Sequence, residues 1–298
     1  MEFYDDLMAV ITEAEQAWES TLTASEKALF GNVLELVKQL DTKGGDIVVS
    51  VKNLKTLNKI KKGLDAALLT DKYLKNISEF VSFYTTTDKV QNKYFSSLEK
   101  NFSPPEITNQ IRQQAIDDTI ESLAGSGVKF EVLTPVRELI STNVTTGGNW
   151  AEMVKSLDSI ITSKLPDEGR LRKYTTQIVT DAINQYSRNY SQTITDDLGL
   201  KWFQYVGGKV TATRPLCNAL VNQRYVHQSE LPKIVKGVVK GRQTALGKNG
   251  LPLGQIPGTN ASNFQTYCGG FSCQHHLIPV SEISVPKYLV EQFKDKTT

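Results

Sequence analysis

Cysteine and histidine are both scarce in this chain, three of each in 298 residues. An odd number of cysteines excludes a fully paired disulfide framework within one chain. No run of 18 apolar residues occurs, so nothing in the sequence reads as a bilayer span. The start, Met1-Glu2-Phe3-Tyr4-Asp5-Asp6, lacks the basic residues and apolar stretch of a secretory signal. The expectation is a protein made and folded in a cytosol, with free thiols or metal ligands as the states of its cysteines. Net charge is weak at +2, which by itself argues for neither nucleic acid nor membrane as a partner. Gly-x-Ser-x-Gly and the Gly-Lys-Ser/Thr phosphate loop are absent. Gly247-Lys248-Asn249-Gly250 sits in loop sequence rather than between a strand and a helix, so it makes no phosphate cradle.

What the chain does have is helical periodicity. Hydrophobic residues make up 39% and charged residues 22%, a globular balance and not a disordered one. The first forty residues read as two helices, the second opened by a capping box at Thr23-Ala24-Ser25-Glu26. Asp41 to Asp46, with Gly44-Gly45, stops it. A third helix starts near Ser50, with Val51, Leu54, Leu57, Ile60, Leu64 and Leu68 as its apolar face. Its Lys52, Lys55, Lys59, Lys61 and Lys62 form either a solvated face or a docking face for an acidic partner or DNA. Tyr73, Phe80, Phe83, Tyr84, Tyr94 and Phe95 read as core. Ser103-Pro104-Pro105 opens the next helix, whose buried face is Ile107, Ile111, Ala115, Ile120 and Leu123. Val128 to Val136 is open between strand and helix.

After a break at Gly147-Gly148, one helix carries Trp150, Val154, Leu157, Ile160, Ile161 and Leu165. A longer one runs from about Glu168 to Leu198, roughly 45 Å at the rise of an α-helix. From Gly199 the texture changes. Leu200 to Val206 is strand-like, and Gly207-Gly208 makes a hairpin turn toward a partner strand at Val210 to Thr213. Pro215 to Gln223 and Ser229 to Val238 read as short helices, residues 241–263 as a long loop, and Tyr267 to Val280 as strand and turn. The fold class is therefore α+β and predominantly helical. An elongated helical region covers residues 1–147. Residues 148–298 follow, made of long helices at 149–198, a small α+β module with short antiparallel strands at 199–285, and a tail at 286–298.

All six cysteines and histidines (Cys217, His227, Cys268, Cys273, His275, His276) fall within the last third of the chain. These residue types ligate zinc. Cys268-x4-Cys273-x-His275 is compact, Gly269-Gly270 lets the backbone curl between the thiols, and Cys217 is the natural fourth ligand. The other readings are small buried hydrophobes, histidines satisfied at a strand edge, or a disulfide between two of the cysteines.

Together with what precedes them, these residues resemble the phage Mu-type minor head protein, or phage head-morphogenesis, family. The features come in order: a long helix with Tyr174-Thr175-Thr176-Gln177 and then Ala182-Ile183-Asn184, a strand with Trp202, Thr213-Arg214-Pro215-Leu216-Cys217, a Gly/Pro-rich loop, and Cys268-Gly269-Gly270-Phe271-Ser272-Cys273-Gln274-His275-His276. The resemblance covers roughly residues 150–285. One departure is Thr176-Gln177, where the family often shows Arg-Thr-Glu. The resemblance implies a virion component of the head interior or portal vertex, assembled in the host cytoplasm. Its expected partners are the phage portal protein and the major capsid protein, with packaged double-stranded DNA as a further one and no membrane. It implies no reaction.

Two other functions compete. Cys273 to Val280 looks like the first strand of a ββα-type metal-dependent nuclease, with His275 or His276 as general base. Only 22 residues follow His276, without His, Asn or Cys, and Glu282, Glu291 and Asp295 are the acidic candidates for a second ligand. A DNA contact is the other. Lys233, Lys236, Lys240, Arg242 and Lys248 cluster within 16 residues beside a flexible loop and suit phosphates without reading sequence. Arg214 either pairs inside the module, with a carboxylate across it, or joins that contact.

Overall fold

Long helices dominate the computed structural model, which describes residues 2–164 and 166–294. Leu165 and Asp295 lie outside the described residues. The first helix, α1 (Glu2–Val37), runs unbroken through the expected boundary at Thr23. The Thr21 and Ser25 hydroxyls donate to the Trp18 and Thr21 carbonyls, at 2.8 and 3.0 Å, within the continuing helix. Glu26 does not reach back to a cap amide. It is buried and accepts from Ser163 Oγ at 2.6 Å.

A small hairpin follows, β1 (Thr42–Lys43) and β2 (Asp46–Ile47), then α2 (Val51–Leu68). α2 starts beside Ser50, as the sequence predicts, and Ser50 caps it, accepting from the Asn53 amide at 3.2 Å. Leu57, Ile60, Leu64 and Leu68 are buried, while Val51 and Leu54 are exposed. Next come α3 (Asp71–Leu98) and α4 (Ile107–Ala124). Ser103 does not cap α4, because two prolines postpone the helix and the Pro105 carbonyl takes the Thr108 amide. The buried face is also shifted from the expected one. Thr108, Thr119 and Leu123 are buried, whereas Ile107 and Ile120 are exposed. The ambiguous stretch resolves as helix: α5 (Ser126–Val128), a π-helical turn over Lys129–Leu133, and α6 (Thr134–Thr146), ended by Gly147 in the left-handed region at φ 73°. Then come α7 (Trp150–Ile161), capped by Asn149, and α8 (Arg170–Asp197).

The remainder is the α+β part, in which every strand pairing is antiparallel: β3 (Trp202–Val206), α9 (Pro215–Gln223), β4 (Tyr225–His227), α10 (Leu231–Ile234), β5 (Val238–Val239), β6 (Arg242–Gln243), α11 (Phe264–Tyr267), β7 (His276–Val280) and α12 (Lys287–Lys294). β3 does not form a hairpin with 210–213, which is turn and loop with Val210 exposed. Both its edges are taken instead, in the order β4-β3-β7. Trp202 faces His227 and Val280 in register, and Val206 faces His276. Side chains alternate across β3. Phe203 and Tyr205 enter one core with α9, and Trp202 enters another with Val285 and Val290.

The chain clusters into two compact units that interleave along the sequence. One holds Thr12–Phe83 and Ile116–Val179, the other Met1–Ile11, Tyr84–Ala115 and Thr180–Thr298. Residues 147 and 148 fall inside the first of these. Trp18 anchors its core, donating to Thr175 Oγ1 at 3.2 Å with its ring edge-on to Tyr73 and Phe80.

The second unit holds a buried polar network. Asp88 accepts from the Tyr186 hydroxyl and pairs with Arg112 at 2.5 Å. Burial raises the Asp88 carboxyl above its ordinary value, outweighing the hydrogen bonds and the Arg112 charge that lower it. Such a group binds its proton earlier in the folded than in the unfolded chain. The stability it contributes is full below the unfolded value and is lost as pH rises through the folded one. Asp88→Asn removes this titration. On acidification from about pH 7 to 4 the stability difference should therefore move in favour of the unaltered protein, read from urea midpoints of the two.

Candidate metal centre

Cys217 is placed by a local rule. Arg214 is extended, Pro215 occupies the first turn of α9, and Leu216, Cys217 and Leu220 form its buried face. That face packs on Phe203, Tyr205, Phe264 and Leu277. Cys273 and His275 arrive from the other side of the same core, in the loop between α11 and β7. The ligating atoms of Cys217, Cys273 and His275 all lie within 4.8 Å of one another, and all three residues are buried. His275 Nδ1 sits 3.7 Å from Cys273 Sγ, and the Tyr205 hydroxyl 3.4 Å from Cys217 Sγ. The Tyr205 and His275 rings stack with centroids 5.6 Å apart.

Cys268 was expected in the same ligand set. It is fully buried in the same core, but its thiol turns to the Gln265 carbonyl at 3.2 Å. His276 is also buried and points to Asn184 Oδ1 at 3.2 Å. His227 caps the short turn after β4 and packs against Trp202 and Phe293. Of the six cysteines and histidines, three converge.

The converging loop is held by polar side chains of α8 and of its own surroundings. Asp181 accepts from the Ser272 amide at 2.6 Å. Arg188, 2% exposed, donates to the Cys273 carbonyl and to the Thr266 carbonyl. Gln265 donates to Ser191 Oγ at 3.3 Å and to the Leu277 carbonyl at 3.2 Å. Asp181, Asn184, Arg188 and Ser191 recur at helical spacing and make one polar face. In sequence such a face is indistinguishable from a solvated one. From α9, Arg214 donates to the Gly269 carbonyl at 3.0 Å and to the Phe271 carbonyl. Its partners are thus internal carbonyls rather than a carboxylate. Lys233, Lys236, Lys240, Arg242 and Lys248 are all exposed.

The three sulfurs differ electrostatically. A hydrogen bond from the Cys217 thiol holds Cys273 well below the ordinary thiol value against the effect of burial, helped by His275 and the Arg188 charge. The same bond, together with burial, raises Cys217. Burial pushes Cys268 up to about 12. His276 lies well below the ordinary imidazole value because it is buried and next to the Arg188 charge. Two thiols and an imidazole converging in this way are the donor chemistry of a thiolate-binding metal. No helix among the described residues is long and apolar enough to cross a membrane. Compared with known protein families, curated proteins and solved structures, the chain matches none.

Gly269 keeps the sulfurs together. A Cβ there would lie 2.3 Å from Cys217 Sγ and 2.9 Å from Cys273 Sγ, whereas a Cβ at Gly208 would meet nothing within 4 Å. Gly269→Ala should cost about 1–3 kcal/mol of stability through overpacking. Gly208→Ala should stay within about 0.5 kcal/mol. Chemical denaturation of the two variants side by side measures both.

Proposed function

We propose that the chain is a structural minor head protein of a phage, acting in head assembly by binding the portal, the inner capsid wall or both. The observation that supports it most is that two separated sequence features of the resemblance serve one purpose. Arg214 and Cys217, from Thr-Arg-Pro-Leu-Cys, meet the Cys-Gly-Gly-Phe-Ser-Cys-Gln-His loop, through the Gly269 and Phe271 carbonyls for Arg214 and through Cys273 for Cys217. In this reading the C-terminal module is a cap held by packing, by these hydrogen bonds and by a zinc ion among Cys217, Cys273 and His275. It does no chemistry. His275 and His276 are 8% and 3% exposed, a poor position for a base that must reach a DNA phosphate. α12, which follows β7, offers Glu291 and no His, Asn or Cys.

The test is location. Mass spectrometry of purified virions of the phage that encodes the chain should detect it in the particle, and it should co-purify with the portal protein. Intact particles without it would refute the assembly role. Incubation of DNA with the purified protein and magnesium, manganese or zinc should leave the DNA intact. Cleavage that disappears in His275→Ala and His276→Ala while the fold persists would establish the nuclease instead. The exposed Lys233, Lys236, Lys240, Arg242 and Lys248 supply a DNA contact in this proposal. Binding should be present at low salt, fall steeply with added salt, and weaken in Lys236→Glu/Lys240→Glu.

A further inference from the structure

The geometry points to a zinc site with three protein ligands, Cys217 Sγ, Cys273 Sγ and His275 Nδ1, in which Cys268 takes no part and Tyr205 is the outer partner that tunes the metal. This deepens the zinc-braced cap proposed above and does not depend on where in a particle the protein acts.

Distances carry the first part. Tetrahedral zinc with ordinary Zn–S and Zn–N bonds places a sulfur and a nitrogen ligand about 3.6 Å apart and two sulfurs about 3.8 Å apart. His275 Nδ1 and Cys273 Sγ are already 3.7 Å apart, and no pair in the group exceeds 4.8 Å. Closing round an ion therefore needs movements of about 1 Å at most.

The second argument is the histidine itself. His275 is 8% exposed, and its Nε2 finds no hydrogen-bond partner among the described residues. That nitrogen lies against Gly207, where a Cβ would meet it at 3.0 Å and the neighbouring ring carbon at 2.3 Å. The nitrogen facing the sulfurs has only its long contact to Cys273. A buried imidazole that makes so little of either nitrogen is poorly compensated as a structural side chain. A metal on Nδ1 would give that nitrogen, which otherwise has only the long contact to Cys273, a strong partner. Gly269 adds the space, since any side chain there would fill the position between the two sulfurs.

Cys268 is excluded by its own geometry. Its backbone is left-handed at φ 44°, and its thiol is engaged with the Gln265 carbonyl. Tyr205, 1% exposed, lies against Cys217 through its hydroxyl and against His275 through its ring. It donates a hydrogen bond to the Cys217 sulfur, as outer partners of metal ligands do.

The experiment uses the full chain. Elemental analysis of protein purified without chelator should give one zinc per chain. Replacement by cobalt(II) should give a charge-transfer band of two thiolates. Cys268→Ser should keep both the stoichiometry and the band. Tyr205→Phe should keep the stoichiometry and weaken zinc binding about 10- to 100-fold in competition with a chelator. Cys217→Ser and His275→Asn should each lose the two-thiolate cobalt spectrum. Neither zinc nor a cobalt band in the unaltered protein overturns the site, whether or not the variants fold. A Cys268→Ser protein whose band falls by one thiolate overturns the ligand set. Unchanged zinc affinity in Tyr205→Phe overturns the role of Tyr205. None of these results bears on whether the chain is found in virions, which tests the assembly role separately.

Discussion

A loop with almost no regular structure has to be held against the core, with its thiols buried, and the C-terminal module depends on how that is done. Between α11 and β7 the backbone passes through left-handed conformations at Cys268 and Ser272, where side chains other than glycine are disfavoured. Amides and carbonyls there, several of them buried, need partners. They receive them from charged and amide side chains: Asp181 for an amide, Arg188 and Arg214 for carbonyls on either side of the turn. Removing such a partner leaves a buried group unsatisfied, which is more damaging than the net worth of one hydrogen bond.

The same contacts arrange the sulfurs. Arg188 fixes the Cys273 carbonyl and also favours the thiolate of that residue by its charge. Arg214 fixes the turn that carries Gly269, and Gly269 gives room for Cys217 and Cys273 to approach. Packing, hydrogen bonding and the donor chemistry of the site therefore share one set of residues. The contact between the two thiols lowers Cys273 and raises Cys217, while burial raises Cys268.

Helix interiors were largely legible in the sequence, because an apolar repeat every three or four residues is a local property. α2 begins after Ser50, α9 spans the expected Pro215–Gln223, and α8 falls within two residues of its expected start. Where reading failed, a tertiary partner had replaced a local one. The capping box at Thr23 was not used because Glu26 had Ser163 to bond. The buried face of α4 moved because Arg112 pairs with buried Asp88. Val210 to Thr213 lost the strand to β4 and β7, which fill both edges of β3.

By itself, then, the sequence determined a predominantly helical chain with a small antiparallel part and collected its metal-binding residue types at one end. Only the tertiary structure decided which of them meet. Cys217 lies on a helix before the long loop and Cys273 after it, and no periodicity links positions so far apart. Cys268, nearer to Cys273 in sequence, turns away, because its sulfur follows a strained backbone toward the Gln265 carbonyl. The polar face of α8 could be recognised as buried only once the loop that covers it was in place.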